Sequence, residues 1–191
     1  MKNNYLFTTI IIIISSFSLV YSQIGNNPGT AVKLDINPSC SYTNIDNSSN
    51  NDSGEPNPGC GNYNAGFTED VWFYVIVPVT GNFTVKTEPG TGSISSMSLA
   101  FYNGSSSSPS LIECIDNDNF NTYDEIATLS GLTPGDTIWI RVWDWEGDDL
   151  GTFDICVYSG EYWLDNYLNN TTIIECVGTL FDSGGPDDYI V

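Results

Sequence analysis

The feature that most constrains this chain is its regular interruption by turn-forming residues. Glycine, proline, asparagine, aspartate and serine recur roughly every 8–12 residues after the first thirty positions, and short runs rich in β-branched and aromatic residues lie between them. No segment shows a helical apolar period. We therefore predict an all-β fold, a β-sandwich or jelly roll of about eight short antiparallel strands with little helix. The predicted strands are residues 31–36, 70–77, 81–87, 98–102, 111–115, 125–129, 136–143 and 151–158.

Two of these runs, residues 136–143 and 151–158, alternate clearly between apolar and other side chains. Side chains two apart on a strand share a face, so one face of each run is predicted to point into the core. The core-facing residues are Ile138, Ile140, Val142, Phe153, Ile155 and Val157. The opposite face of the first run carries Trp139, Arg141 and Trp143. Trp72, in the run DVWFYVIV, is predicted to lie in the core.

Residues 1–22 have the three parts of a signal peptide. Lys2 stands near the start, an apolar run follows, and Ser22 provides a small residue at a cleavage site before Gln23. The apolar run is shorter than the roughly 20 residues that cross a bilayer, and no later segment is long enough. We predict export to the medium or the outer cell surface, with no membrane insertion after cleavage.

The charge balance excludes several partners and chemistries. The chain has 24 acidic and 4 basic residues, a formal charge of −20, and no histidine. Nucleic acid and anionic membranes are held mainly by lysine and arginine, so neither is a predicted partner. Divalent cations, neutral polymers or basic surfaces fit better, although acidity also serves solubility. Without histidine, the usual zinc sites and the Ser-His-Asp and Cys-His arrangements cannot form. We predict no catalytic residues and no enzyme activity.

All five cysteines follow the predicted signal peptide, which favours disulfides. Cys40 and Cys60 flank one loop of residues 44–59 that is rich in Asn, Ser, Gly and Pro, and Cys114 and Cys156 lie in or beside later strands. We predict the pairs 40–60 and 114–156. Cys176 is then left without a partner in this chain. Residues 44–59 and 104–110 are low in apolar content and are predicted to be exposed loops.

From Asp70 onward, several motifs occur together in a recognisable order. They are DVWFYVIVPVTGNFTV, then CIDND, then GLTPGDTIWIRV, then GTFDICV. This order resembles the pre-peptidase C-terminal domain family, particularly its members in secreted proteins of Bacteroidetes. The resemblance covers about residues 30–160 and implies a compact, non-catalytic β-sandwich appended to a larger secreted protein. We therefore predict a domain at residues 23–160 and a linker at 161–171.

The tail carries a second resemblance. Residues 176–189 (CVGTLFDSGGPDDY) are similar to the opening of a CUB-like domain, in which an early cysteine pairs with a later one. The resemblance implies that residues 172–191 begin a second β domain that is incomplete here. It would account for the unpaired Cys176, and it predicts that the sequence is a fragment of a longer protein.

Two acidic loops are candidates for calcium, a cation that takes about 6–8 oxygen ligands. The candidate ligands are Asp116, Asp118, Asp124 and Glu125 in the first loop and Asp144, Asp148 and Asp149 in the second. The first loop is not an EF-hand, because Asn121 stands where that loop needs glycine and Ala127 where it needs glutamate. The alternative is that these residues only form turns by bonding their own backbone.

Trp139, Trp143 and Trp145 suggest a platform on which sugar rings could stack. The alternative is that a loop or a neighbouring domain covers this face. The sequence thus predicts a secreted, non-catalytic module of a bacterial surface or extracellular protein, in adhesion or an accessory role, with calcium as its candidate cofactor. Its predicted partners are neighbouring domains and surface glycans or proteins. Two alternatives stay open: a carbohydrate-binding module, or the accessory domain of a secreted hydrolase whose catalytic part lies outside this chain.

Overall fold

A computed structural model describes residues 25–90, 94, 96–116, 125–145 and 149–160. Within these ranges the chain forms nine β-strands and one 3-10 turn at Pro28–Thr30. The strands are β1 Val32–Lys33, β2 Thr43–Asp46, β3 Asp70–Ile76, β4 Phe83–Pro89, β5 Met97–Ser105, β6 Ser108–Ile115, β7 Ile126–Leu129, β8 Thr137–Asp144 and β9 Thr152–Tyr158. The all-β prediction is confirmed.

The strands form two sheets. The five-stranded sheet has the order β1-β3-β8-β5-β6, and the four-stranded sheet has the order β2-β9-β4-β7. Within both sheets the strand pairs are antiparallel except β1 and β3, which are parallel. The prediction of antiparallel strands is wrong for that pair, because the long segment between β1 and β3 returns the chain to the same end of the sheet before β3 begins.

The main core lies between the two sheets. Both alternating runs point their predicted apolar face into it, and the six residues concerned are at most 2% exposed. Phe73 and Phe153, from opposite sheets, meet edge to face with ring centroids 6.3 Å apart. Burying one such ring contributes roughly 1.5–3 kcal/mol. The period-two pattern of the sequence therefore locates this core correctly.

Residues 40–60 form a strap across the side of the sandwich. The strap begins at Cys40, which is bonded to Cys156 on β9 of the four-stranded sheet, and ends at Cys60, which is bonded to Cys114 on β6 of the five-stranded sheet. All four cysteines are bonded as predicted, but the pairing 40–60 and 114–156 is wrong. The strap passes from one sheet to the other, and each of its ends is bonded to the sheet that it reaches.

The strap is also more ordered and more buried than its composition suggests. Residues 44–59 were predicted to be an exposed loop, yet they contain most of β2, and Asn47, Asn50 and Pro58 are buried. Asn47 exchanges two hydrogen bonds with the backbone of Gly151, at 3.0 and 2.9 Å. The predicted loop at 104–110 is likewise a tight hairpin, because β5 runs to Ser105 and β6 starts at Ser108.

Several predictions fall outside the described residues. They are the signal peptide at 1–22, the linker at 161–171, the CUB-like segment at 172–191 and the unpaired Cys176. In the ranges that the structure does describe, no helix has the length and apolar character needed to span a membrane.

Candidate functional site

The most chemically distinctive place in the described structure is a buried charge on the outer face of the five-stranded sheet. Arg141 on β8 points away from the main core and is 0% exposed. Its Nε donates to Oδ2 of Asp70 on β3 at 2.5 Å, and both side chains of this ion pair are fully buried. Burying a charge costs several kcal/mol unless it is paired and hydrogen-bonded, so its surroundings decide what the pair can do.

The strap supplies most of the remaining acceptors for Arg141. Nη1 donates to the backbone oxygen of Pro56 at 2.9 Å, and Nη2 donates to the hydroxyl of Ser53 at 3.2 Å and to that of Tyr63 at 2.5 Å. The guanidinium lies 4.3 Å from the centroid of the Tyr63 ring and 5.2 Å from that of Trp72. Burial alone would lower the pKa of Arg141, but Asp70 and the neighbouring tyrosines hold it above its usual value. The guanidinium therefore stays charged in the folded protein.

The carboxylate of Asp70 also makes several hydrogen bonds to groups inside the protein. Its carboxylate accepts hydrogen bonds from the backbone N–H of Ser53 at 2.8 Å, from the Ser53 hydroxyl at 2.6 Å and from the indole of Trp72 at 2.8 Å. Burial raises the pKa of Asp70, and the charge of Arg141 opposes that rise. Through these hydrogen bonds the ion pair holds the strap on the sheet.

Sequence reasoning missed this cluster, although one signal for it was present. Arg141 is the only arginine in the chain, and strand alternation places it opposite the aliphatic face of β8. An arginine on a strand, flanked by Trp139 and Trp143, indicates a charged side chain that another segment of the protein must shield from solvent. The sequence does not show that the strap is the segment that shields it, because that contact is long-range.

The prediction that Trp143 belongs to a platform for sugar stacking is wrong. This side chain is 2% exposed, and its indole N–H donates to the backbone oxygen of Gly61 at 2.9 Å. Gly61, directly after the strap, has a φ of +65°, and a Cβ there would lie 2.2 Å from the Ser98 hydroxyl, so only glycine lets the chain approach the sheet this closely. Trp72 is buried as predicted, but it lies beneath the strap with Tyr102 and Trp143 rather than in the main core.

Trp139 and Trp145 lie in separate places. Trp139 is partly exposed on the outer face of the five-stranded sheet, where its ring meets that of Tyr74 at a centroid distance of 5.5 Å. Trp145 follows β8 and donates its indole N–H to Asp116 at 2.9 Å. The three predicted tryptophans therefore do not form one platform.

The first residues of the two acidic loops approach each other at one end of the sandwich. The bond from Trp145 to Asp116 joins the start of the first loop to the start of the second. Asp144 is buried and accepts a hydrogen bond from the backbone N–H of Asp149 at 3.4 Å, and Glu125 is buried directly before β7. Asp118, Asp124 and Asp148 lie outside the described residues. Among the residues that are described, no three cysteine, histidine or acidic side chains are grouped to hold a metal, so calcium stays a prediction.

Comparisons with known proteins give loose structural matches. No protein-family model matches the chain, and no curated protein matches it. The chain is similar to the pre-peptidase C-terminal domain of a collagenase from Bacillus anthracis, with 11% identity and a TM-score of 0.42 over 66% of this chain and 93% of that one. It is also similar to PliG of Aeromonas hydrophila, a periplasmic inhibitor of g-type lysozyme, with 9% identity and a TM-score of 0.38 over 66% and 95%.

Asp52 in the strap gives this cluster a measurable pH dependence. Burial alone would raise the pKa of Asp52, but hydrogen bonds from the Tyr63 hydroxyl at 2.6 Å, from the backbone N–H of Gly54 at 2.8 Å and from that of Gly66 hold it below its usual 3.8. Because the folded-state pKa is depressed, the ionised carboxylate stabilises the fold above that usual value. This stabilisation is lost as the pH falls through the folded-state pKa.

Replacing Asp52 with asparagine is therefore expected to lower the free energy of unfolding by about 1 kcal/mol near neutral pH, since the group is partly exposed to solvent screening. The difference from the unchanged protein should shrink as the pH falls below 3.8. Urea unfolding of both proteins between about pH 7 and pH 2 measures it. A difference that stays constant over this range would show that the charge of Asp52 has no such role.

Proposed function

We propose that this chain is an exported, non-catalytic β-sandwich module of a cell-surface or extracellular protein, acting in adhesion or as an accessory domain. The observation that supports this most is the strap, whose two ends are bonded to opposite sheets by disulfides. Disulfides persist in oxidising compartments and are rare in the cytosol. A sandwich fixed in this way suits a module that must keep its shape outside the cell.

The buried charges support the non-catalytic part of the proposal. Catalytic acids and bases need access to a substrate and a pKa near the working pH. Arg141 and Asp70 are fully buried, and their hydrogen bonds go to the strap and to Trp72. This buried ion pair therefore has a structural role.

Export and the absence of catalysis are tested on one sample. The full-length chain is expressed with its leader in an exporting bacterial host, and the product is recovered from the periplasm or medium. The proposal predicts a mature chain that begins at Gln23, with Cys40–Cys156 and Cys60–Cys114 found by peptide mapping without reductant. It also predicts no turnover of fluorogenic peptides, esters and glycosides. Cytoplasmic retention with reduced cysteines, or turnover above that of a host blank, would refute it.

We also propose calcium as a stabilising ligand of the two acidic loops, supported by the oxygen-rich composition of both loops and by the bond that joins their starts. A ligand that binds only the folded state stabilises it by RT ln(1 + [L]/Kd), about 2.7 kcal/mol at a hundredfold excess over Kd.

Millimolar calcium is therefore expected to raise the thermal midpoint by several degrees over chelator. The Asp116→Asn/Asp118→Asn double variant should lose this shift, whereas Asp35→Asn, at a distant exposed carboxylate, should keep it. An equal midpoint in calcium and chelator would identify the loops as ordinary solvated turns.

A further inference from the structure

The outer face of the five-stranded sheet has a part that the strap leaves open. The strap covers Arg141 and Trp143, but Leu111 and Ile76 on the same face are 45% and 42% exposed. Between them lie the partly exposed rings of Tyr74 and Trp139. We call these four side chains the open face.

Three members of the open face, Tyr74, Trp139 and Leu111, lie in one row across the sheet. Tyr74 on β3 is paired directly with Trp139 on β8, Trp139 with Tyr102 on β5, and Tyr102 with Leu111 on β6. Paired residues on neighbouring strands lie about 4.8 Å apart in the direction across the sheet. Because Tyr102 is only 5% exposed, the row presents the neighbouring rings of Tyr74 and Trp139, followed by Leu111 on the edge strand.

The rings in this row are held in place before any ligand arrives. Trp139 donates its indole N–H to the backbone oxygen of Gly104 at 3.2 Å and packs against Tyr74 at a tilt of 50°. The buried Tyr102, which is paired with Trp139 in this row, packs against Trp72 with ring centroids 5.0 Å apart and is not itself a contact group. Rigid rings lose little conformational entropy when they bind, so they are efficient contact groups.

A groove continues the open face at one end of the sheet. Ile76 and Lys33 line it together with Ile36, Pro78, Val79 and Pro134, and its volume is about 490 Å³. Val79 is 59% exposed. An exposed apolar surface that extends from a ring row into a groove is typical of a site for an elongated ligand.

Charge excludes an anionic elongated ligand. The chain carries a formal charge of −20, and Lys33, the one cationic residue among those lining the groove, is paired with Asp35 at 2.7 Å. An anionic polymer would be repelled, whereas the apolar faces of neutral sugar rings stack on aromatic side chains. We propose that the open face and its groove bind a neutral polysaccharide chain. This inference rests on the proposed role as an extracellular module and names the class of its ligand.

The test is affinity electrophoresis of the exported full-length chain through gels that contain xyloglucan, glucomannan or laminarin, with alginate as an anionic polymer. At least one neutral polysaccharide should slow the protein, and alginate should not. Trp139→Ala and Tyr74→Ala should each weaken binding about tenfold or more, as expected for a central aromatic contact. Tyr42→Ala removes an exposed ring near the four-stranded sheet and is the matched control, expected to bind normally.

Folding of each variant is checked by its thermal midpoint. If Trp139→Ala does not fold, Ile76→Glu serves instead, because this side chain is 42% exposed and the added charge disturbs only the open face. The inference is overturned if no neutral polysaccharide retards the protein, if alginate retards it equally, or if the folded open-face variants bind as tightly as the Tyr42 control. Each of these results would leave the proposed function standing, because export and the absence of turnover are measured separately.

Discussion

Replacing Arg141 with methionine is expected to destabilise the protein by about 3–5 kcal/mol. The substitution removes the positive partner and leaves the carboxylate of Asp70 fully buried, with its charge uncompensated. It also removes the donors that hold Pro56 and Ser53 of the strap to the sheet. Since small domains are stable by only about 5–15 kcal/mol, the loss should be large enough to see directly in the urea midpoint.

The matched control is the double variant Asp70→Leu/Arg141→Met, which removes both charges. Replacing a buried ion pair by apolar groups of similar volume is often neutral, so this protein should recover a large part of the lost stability. Arg141→Lys should fall between the two, because a lysine keeps the charge but cannot reach several acceptors at once. If Arg141→Met alone costs less than about 1 kcal/mol, the cluster is not what holds the strap.

Replacing both Cys60 and Cys114 with serine is expected to cost about 4 kcal/mol, because the bond closes a loop with a sequence separation of 54 residues. The corresponding change at Cys40 and Cys156 should also cost about 4 kcal/mol, because the intact Cys60–Cys114 bond shortens the loop that it closes to about 62 residues. Both are measured by urea unfolding without reductant. Equal midpoints for the bonded and serine proteins would contradict this account.

The Cys60–Cys114 bond and Arg141 hold the same strap, so their effects should not add. Once Arg141→Met has loosened the strap, losing the disulfide should change the folded state less than it does in the unchanged protein. A double-mutant cycle is therefore expected to give an interaction energy of about 0.5–3 kcal/mol. The Cys40–Cys156 pair is the control for this cycle, since it is bonded on the other sheet and should be closer to additive with Arg141→Met.

The sandwich was predictable because the sequence features that specify it are local. The alternation around Ile140 and Ile155 specifies a buried face by a period of two, and the turns between strands are marked by glycine and proline. The strap was not predictable, because its composition is that of a solvated loop. Asn47 and Asn50 are buried only because distant backbone groups on Gly151 and Asp70 accept or donate their hydrogen bonds. No periodicity in the sequence records such partners.

The candidate sites, too, were predictable only where local strand alternation specifies them. Strand parity placed Trp139 and Trp143 correctly on the outer face, but only the path of the strap decides that one is covered and the other is not. The cysteine pairing failed for the same reason, since nearness in sequence says little when a segment crosses between sheets. The contribution of Tyr74 to the open face depends on its register with Trp139, which is a long-range pairing.

The bond between Cys40 and Cys156 also determines how the protein would respond to mechanical force. Tension applied between Gly25 and Gly160, on either side of this bond in the sequence, would pass through the disulfide and bypass nearly all of the sandwich. Only about 20 residues could be drawn out, roughly 70 Å at ~3.5 Å per residue. With both disulfides reduced, about 135 residues could unravel, roughly 470 Å. The oxidised protein is thus a short, stiff link under load, whereas the reduced protein would be a long extensible one.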